Sequence, residues 1–479
     1  MTALIDFINS ILWNYVLIYG LLAVGILFTL RLGFLQFRHF PEFFRLVLKG
    51  PGAAAGGITP FQALCTSLAS RVGTGNLAGV AVALYLGGPG AIFWMWVVAL
   101  LGMATGYAES ALAQLYKVRD VHGNFRGGPA FYLAHGLKAR WAGMVFSVCL
   151  ILAFGLVFNA VQANSIADAM QGAFGVPKLW VGLALAILTA LVIVGGIQQV
   201  AKVAQVLVPF MAGAYLLTAV AIMAINITEV PAVLAQIVKS ALGLEPAVGG
   251  VIGAMLNGIK RGLFSNEAGM GSAPNIAAVA TPHPDHPASQ GFVQALGVFI
   301  DTILICTATA VMILLAGVLE PGSGITGTVL TQNAMTVHIG AAGQYFVAIA
   351  ILFFAFTSII GNYAYAENAL TFLNAGGATG RAILRVALLL MVVWGAYESV
   401  LTVFNAADAA MGLMATINLV AIALLSGVVV TITRDYFAQK RAGVSPRFDS
   451  TRYPELDAQI DRDIWGGART DTNAANPKV

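Results

Sequence analysis

Charge is what this chain has least of. Asp, Glu, Lys and Arg make up 10% of its 479 residues, where a soluble domain carries about 25%. Such a chain cannot clothe a water-facing surface, which excludes a soluble enzyme or regulatory domain. Cysteine is nearly absent as well. Cys65, Cys149 and Cys306 each lie in an apolar stretch without metal-ligand spacing, so they read as buried small hydrophobes. No Ser/His/Asp arrangement, metal-spaced cluster or P-loop occurs, and the Gly73-Thr74-Gly75 pattern lacks the preceding strand that a dinucleotide fingerprint needs. The His283-Pro284-Asp285-His286 run, with Pro282 and Pro287 beside it, reads as a tight loop rather than a metal site. No basic n-region precedes Ile11 and no small-residue cleavage site follows, so the apolar run from Ile11 to Leu30 is expected to stay as a first helix.

What is abundant is apolar length. Hydrophobic residues are 59% of the chain and the mean hydropathy is +0.84. Eleven stretches are spanning-helix candidates by length: 11–30, 60–86, 89–116, 141–171, 179–196, 203–225, 247–279, 290–318, 344–369, 382–398 and 408–433. Glu398, Asn405 and Asp408 read as a turn between the last two. The net charge of +4 reports topology rather than nucleic-acid binding. Arg31, Arg38, Arg45, Lys49, Lys117, Arg119, Arg126, Lys138, Arg140, Lys202, Arg381, Arg385 and the tail from Arg434 fall on one side, against Lys178 and Lys239 on the other. By the positive-inside rule the N-terminus is outside and the C-terminus cytoplasmic. The segment from Arg31, with Phe34, Phe37, Phe40, Phe43 and Phe44 among its cations, suits a helix lying in the interface. The polar tail from Phe448 onwards is expected to be mobile.

Two spans are poor material for continuous helix. The second carries Ser70-Arg71-Val72-Gly73-Thr74-Gly75-Asn76, and the seventh runs from Gly262 through Ser265, Asn266, Glu267, Gly269 and Gly271 to Pro274. Each glycine costs about 1 kcal/mol against alanine, and a break in lipid frees backbone groups that protein, water or ligand must satisfy. A glycine packing seam does not need Asn76, Asn266 and Glu267. Setting the first helix aside, these are helices one and six of a ten-helix set, and interrupted helices at corresponding positions point to a transporter site. Half-helix N-termini suit a carboxylate, and freed carbonyls suit a cation. A zwitterionic amino acid with sodium answers both. Thr357 and Ser358 in the ninth span add hydroxyls near mid-membrane, and Gln162 and Asn164 in the fourth add amides.

At these residues the chain resembles the alanine or glycine:cation symporter family, the sodium:alanine symporters. The matching stretches are Val72-Gly73-Thr74-Gly75-Asn76-Leu77-Ala78-Gly79, Gly87-Gly88-Pro89-Gly90-Ala91-Ile92-Phe93-Trp94 and Gly262-Leu263-Phe264-Ser265-Asn266-Glu267-Ala268-Gly269, with Gly127-Gly128-Pro129-Ala130 in a basic loop. The resemblance implies an all-α polytopic membrane protein of the leucine-transporter fold: about 11 helices, two of them broken, in two inverted five-helix repeats. It divides the chain into an extra N-terminal helix (1–30), an interfacial segment (31–57), the repeats 58–225 and 247–433, and a cytoplasmic tail (434–479). It implies sodium-coupled symport of alanine or glycine across the cell membrane, with sodium co-transported. By that similarity Thr74 and Gly75 meet the substrate carboxylate, while Asn76, Phe264, Ser265, Asn266, Met270 and Gln162 complete the pocket. Carbonyls of Ala69 and Val72 with the hydroxyls of Thr357 and Ser358 hold sodium, and a second sodium falls near Asn76 and Ser265. Membrane lipid is the expected surrounding, with no nucleic acid and no obligatory protein partner.

Charges at membrane depth remain. Arg71, Lys260 and Arg261 fall inside apolar spans, as do the acids Glu109, Glu267 and Asp301, and unpaired charges there cost at least about 2.5–3.5 kcal/mol each. Pairing is the first expectation, with Glu267, in the second broken stretch beside Lys260 and Arg261, as the nearest acid in sequence. The other is that Glu267 titrates during transport, which keeps a proton-coupled amino-acid transporter of the same fold as the alternative. A channel also stays open at this point, since broken helices serve selectivity filters.

Overall fold

The computed structural model describes residues 7, 9–48, 53–54, 56–245, 249–320 and 322–466. Lys49, several residues of the 31–57 segment and the tail beyond Gly466 lie outside them. Eight described helices are long and apolar enough to cross a membrane: Asn9–Arg31, Gly90–Leu115, Arg140–Phe174, Gly196–Ile225, Pro287–Ala316, Ala342–Phe372, Ala378–Tyr397 and Thr402–Leu424. Lys178–Ile193 is as apolar but has only 16 residues. The two stretches expected to break do so. The first divides into Pro60–Arg71 and Val80–Gly87, the second into Gly250–Asn266 and a short Pro274–Ala277 turn. A two-stranded hairpin, Val118–Arg119 with Phe125–Arg126, stands in the first basic loop and is the one sheet among the described residues.

Local chemistry accounts for the boundaries. Pro60 opens its helix behind a reciprocal Thr59/Gln62 capping box, and Gly317 closes Thr307–Ala316 in the left-handed conformation. Three of the four π-helical segments, Gly75–Gly79, Ile151–Val157 and Phe299–Cys306, lie on helices around the first break. Each is a one-turn widening of its helix.

Three expectations are corrected. Asp408 is not in a turn: the last pair of helices turns at Glu398 and Ser399, and Asp408 sits inside Val400–Leu424. The span expected at 408–433 ends at Leu424, and a second helix, Ser426–Arg441, follows. An apolar helix tolerates this acid because it is paired, as shown below. The tail is not loose as far as Gly466. Phe448, Leu456, Ile464 and Trp465 are buried, Phe448 donates its amide to the Asp285 carbonyl (2.9 Å), and Tyr453 donates to Asp435 (2.9 Å). Its polar composition hides a few aromatic anchors that suffice to dock it. The basic segment forms a helix, Phe40–Leu48, whose inner face packs on the protein: Phe43 is buried, and Phe40 meets Phe299 edge-on at 4.9 Å.

Candidate functional site

The first break is short and largely self-contained. Helix continuation would direct the amides of Gly73 and Asn76 to the carbonyls of Ala69 and Val72. Instead, Gly73 donates to Asn76 Oδ1 (2.9 Å) and Asn76 donates to the Gly73 carbonyl (3.3 Å). Neither takes the carbonyl of Ala69 or Val72. Thr74 aims its amide and its hydroxyl at one acceptor, Gln162 Oε1 (3.0 and 2.9 Å). Glycine at 73 lets these side chains come close: a Cβ there would stand 2.3 Å from Ser358 Oγ and 2.7 Å from Gln162 Oε1. The fourth and ninth expected spans thus close on the break. Thr357 and Ser358 both donate to the Phe354 carbonyl (2.9 and 3.1 Å), the usual back-bond of a hydroxyl within a helix.

The second break is longer and depends on other helices. Gly250–Asn266 ends where Glu267 turns left-handed (φ 58°), followed by Gly269 (φ 90°) and Gly271 (φ 80°). Asn266 Oδ1 accepts the Ala268 amide (3.0 Å), so this side chain serves its own break. Glu109, buried in Gly90–Leu115, accepts the amides of Gly269 and Gly271 (3.3 and 3.2 Å) and the Asn418 amide group (2.9 Å). The Glu267 carboxylate accepts from Ser70 (2.7 Å) and Ser272 (2.5 Å). Met270 is buried in this loop with its amide on the Glu267 carbonyl (3.1 Å). The side chains gathered at Gly73–Asn76 include Gln162, Phe264, Ser265, Asp301, Cys306 and Ser358.

A buried carboxylate joins the breaks. Asp301 accepts from Asn76 (2.7 Å), Ser265 (2.8 Å) and Thr302 (2.7 Å), and Asn76 also donates to Ser265 Oγ (3.1 Å). Cys306 Sγ lies 3.1 Å from Ser265 Oγ, so this cysteine borders a polar cluster instead of filling an apolar gap.

The cations divide in an unexpected way. Lys260 and Arg261 both pair with Asp408 (2.6 and 2.8 Å), not with Glu267. Seven helical residues put Lys260 about 10 Å along the axis from Glu267, whereas the Val400–Leu424 helix brings Asp408 alongside. Arg261 also lies over the rings of Phe264 and Phe404, at 5.4 and 5.5 Å. Phe264 stacks between Phe158 (4.7 Å) and Phe404 (5.5 Å). Arg261 and this ring stack lie together on the side of Gly75 that Phe264 covers. Arg71, 2% exposed, donates Nη1 to the Gln294 carbonyl (3.2 Å). Its Nε and Nη2 have no hydrogen-bond partner among the described residues. Glu109, Glu267 and Asp301 all feel its charge.

Reasoning from sequence passed over Ser70, Ser272 and Asn418, the polar partners of the buried acids, and the ring stack of Phe158 and Phe404. Ser70 and Ser272 flank the breaks, so proximity to a glycine run was the available signal. Nothing in the sequence marks Phe158 or Phe404 among the 27 phenylalanines.

The model of the sodium:alanine symporter family matches residues 1–450. The amino-acid carrier protein AlsT of Bacillus subtilis is 51% identical, covering 95% of this chain and 96% of its own length. The probable sodium/glutamine symporter GlnT of the same organism is 48% identical over 92% and 91%. In fold, the chain resembles the crystal structure of MhsT in complex with L-phenylalanine, with a TM-score of 0.55 at 14% identity, covering 79% of this chain and 90% of that one.

Proposed function

This chain belongs to the sodium:alanine symporter family, whose members are transporters and not enzymes, and from that premise we propose that it carries alanine or glycine with sodium by alternating access. The observation that carries this reading is the pair of donors on Thr74. Its amide and hydroxyl converge on a single oxygen, that of Gln162. Two donors at the start of a helical segment are the provision a carboxylate oxygen needs, and Gln162 holds that place until substrate displaces it. Phe264, fixed in its ring stack, and the contact of Gly75 with Ser265, where a Cβ would lie 3.0 Å from Cα, leave room only for a small side chain.

Sodium is assigned to the carbonyls of Ala69 and Val72, which their helix gives up, with Thr357 and Ser358 opposite. A second cation fits the carboxylate of Asp301 with the hydroxyl of Ser265, beside Asn76. The Lys260/Arg261–Asp408 pair over Phe264 acts as the outer gate. This reading takes eleven spans: an extra helix within 1–30, then inverted repeats at 58–225 and 247–433. The segment 31–57 is interfacial and the tail 434–479 cytoplasmic, with the N-terminus outside. Breaks at matching positions of the two halves and basic loops on one side support it.

One observation favours the proton-coupled alternative. Three buried acids, Glu109, Glu267 and Asp301, face a single arginine that lacks an acidic partner within 4.0 Å among the described residues. Uptake of radiolabelled alanine into proteoliposomes separates the two. An inward sodium gradient should drive accumulation, with glycine competing and glutamine not. The Thr357→Ala/Ser358→Ala variant should require several-fold more sodium for half-maximal uptake. Uptake driven by a proton gradient without sodium would overturn the sodium reading, and glutamine competing equally would overturn the substrate.

A further inference from the structure

A cavity of about 620 Å³ has no residue of either break in its lining. It opens on the face of the basic loops, between the hairpin, the Pro129–His135 helix and the turn before Ala378–Tyr397. Arg119, Arg126, Arg140 and Arg381 line it, with His122 and His135. The only acid in the lining is Asp120, and Arg126 Nε already holds it at 2.9 Å. Arg126 itself has a side chain only 8% exposed, yet its Nη1 has no hydrogen-bond partner among the described residues. No carboxylate among the described residues lies within 4.0 Å of Arg140 or Arg381. Two long helices, Arg140–Leu150 and Ala378–Tyr397, begin at this cavity, and no side chain caps either. Their unsatisfied amides and positive dipole ends add to the arginines. A site this positive, with a buried guanidinium nitrogen unmatched, is built for a phosphate oxygen.

The rest of the surroundings says which phosphate. The lining continues into apolar side chains, including Phe131 and Phe372, which meet edge-on at 5.0 Å. Beyond the rim, the helix from Arg140 exposes Trp141 (70%), Met144 and Val145, and the helix from Ala378 exposes Ile383 (65%), Val386 and Leu390. In a membrane-spanning chain such a wall faces acyl tails, and a tryptophan at its edge marks headgroup depth. A free phosphate has no use for the wall, whereas a phospholipid occupies both parts at once. We propose that this cavity binds the headgroup of an anionic phospholipid in the leaflet on the basic-loop side, its acyl chains lying along the Trp141 and Ile383 surface.

The test is thermal unfolding of the full chain in detergent, titrated with phosphatidylglycerol, with phosphatidylcholine, or with inorganic phosphate alone. Phosphatidylglycerol should raise the melting temperature saturably, and the other two should not. Arg140→Gln and Arg381→Gln, made singly and together, should weaken its apparent affinity by about fivefold each and about 30-fold combined. Arg434→Gln/Arg441→Gln, which removes equal charge elsewhere on the same side, should leave it unchanged. Native mass spectrometry of the wild type gives a second readout that requires no variant: phosphatidylglycerol should be retained where phosphatidylcholine is lost. An equal shift with inorganic phosphate would make the ligand a soluble anion and overturn the lipid assignment. Equal losses in the control variant, or no preference for phosphatidylglycerol in either measurement, would overturn the site. None of these readouts depends on uptake, so the result stands apart from the transport assignment.

Discussion

The two broken helices solve one problem in different ways. Each abandons backbone hydrogen bonds at membrane depth, where every orphaned group is costly. The first does so over Val72–Thr74 and repairs the gap mostly from within, through Asn76 on the Gly73 amide, with Gln162 as an outside acceptor for Thr74. The second spans Glu267–Ala273 and borrows Glu109 from one helix, Ser70 from another and Asn418 from a third. The short break depends on one outside side chain, Gln162, for the Thr74 donors. The long one is tied into the protein on several sides, which suits a hinge more than a binding surface.

If that contrast holds, the most damaging change belongs to the long break. Glu109→Ala strips the acceptor from the amides of Gly269 and Gly271. At about 1–3 kcal/mol for each buried amide left unpaired, stability should fall by about 2–6 kcal/mol. A melting temperature in detergent equal to wild type would show that the loop is satisfied some other way. Asn76→Ala in the short break orphans one amide, that of Gly73, and should cost about 1–3 kcal/mol. Because Asn76 also reaches Asp301 and Ser265, its sodium requirement for uptake should rise as well. A stability loss with unaltered sodium dependence would remove Asn76 from the cation assignment.

Glycines offer a finer comparison. Gly271 has φ +80° and faces Pro129 Cγ at 2.7 Å from a built Cβ, so Gly271→Ala should cost about 1–2 kcal/mol from backbone conformation alone. Gly79 has helical φ, with its nearest atom at 3.7 Å, and Gly79→Ala should be neutral or stabilising by up to about 1 kcal/mol. Equal costs at both sites, read from paired unfolding curves, would erase the distinction.

The smallest effect is a pH effect, and it separates the caps. The first broken helix starts on the Thr59/Gln62 box, which does not titrate. The helix following the second starts on His286, whose Nδ1 accepts the Ala288 amide (3.1 Å) and whose Nε2 contacts Asp435 (3.1 Å). Burial holds this imidazole below its ordinary value, outweighing the opposite pull of Asp435 and Asp285. The unfolded chain therefore takes up the proton first, and stability should decline as pH falls below about 6.5. His286→Asn keeps an acceptor for the cap and should flatten that decline; an unchanged slope would assign it to other groups.

Much of this was legible because the chemistry was local. Gly73, Thr74, Gly75, Gly269 and Gly271 announce their breaks in any apolar context, and the spans follow from length. The cross-helix partners were not. Asp408 stands among Asn405, Ala406 and Ala407 with no mark of its distant cations, so sequence distance favoured Glu267 as their partner. Burial of Phe448 and Trp465 was hidden by the polar residues around them. Pairings between helices far apart in the chain depend on packing, which periodicity does not encode.

The docked C-terminal segment has a practical consequence. Trp465 donates its indole N–H to the Gln114 carbonyl (3.2 Å), and the Gln114 side chain in turn donates to the carbonyls of Ala277 and Ala280, at the far end of the second broken helix. That indole is 2% exposed, with Lys117 5.2 Å above its ring. It is a built-in optical probe: any tilt of the Pro274–Ala277 turn that admits water at this face would red-shift its emission. With the six other tryptophans replaced, fluorescence from this single position would time the opening of the basic-loop side during a transport cycle without an attached dye.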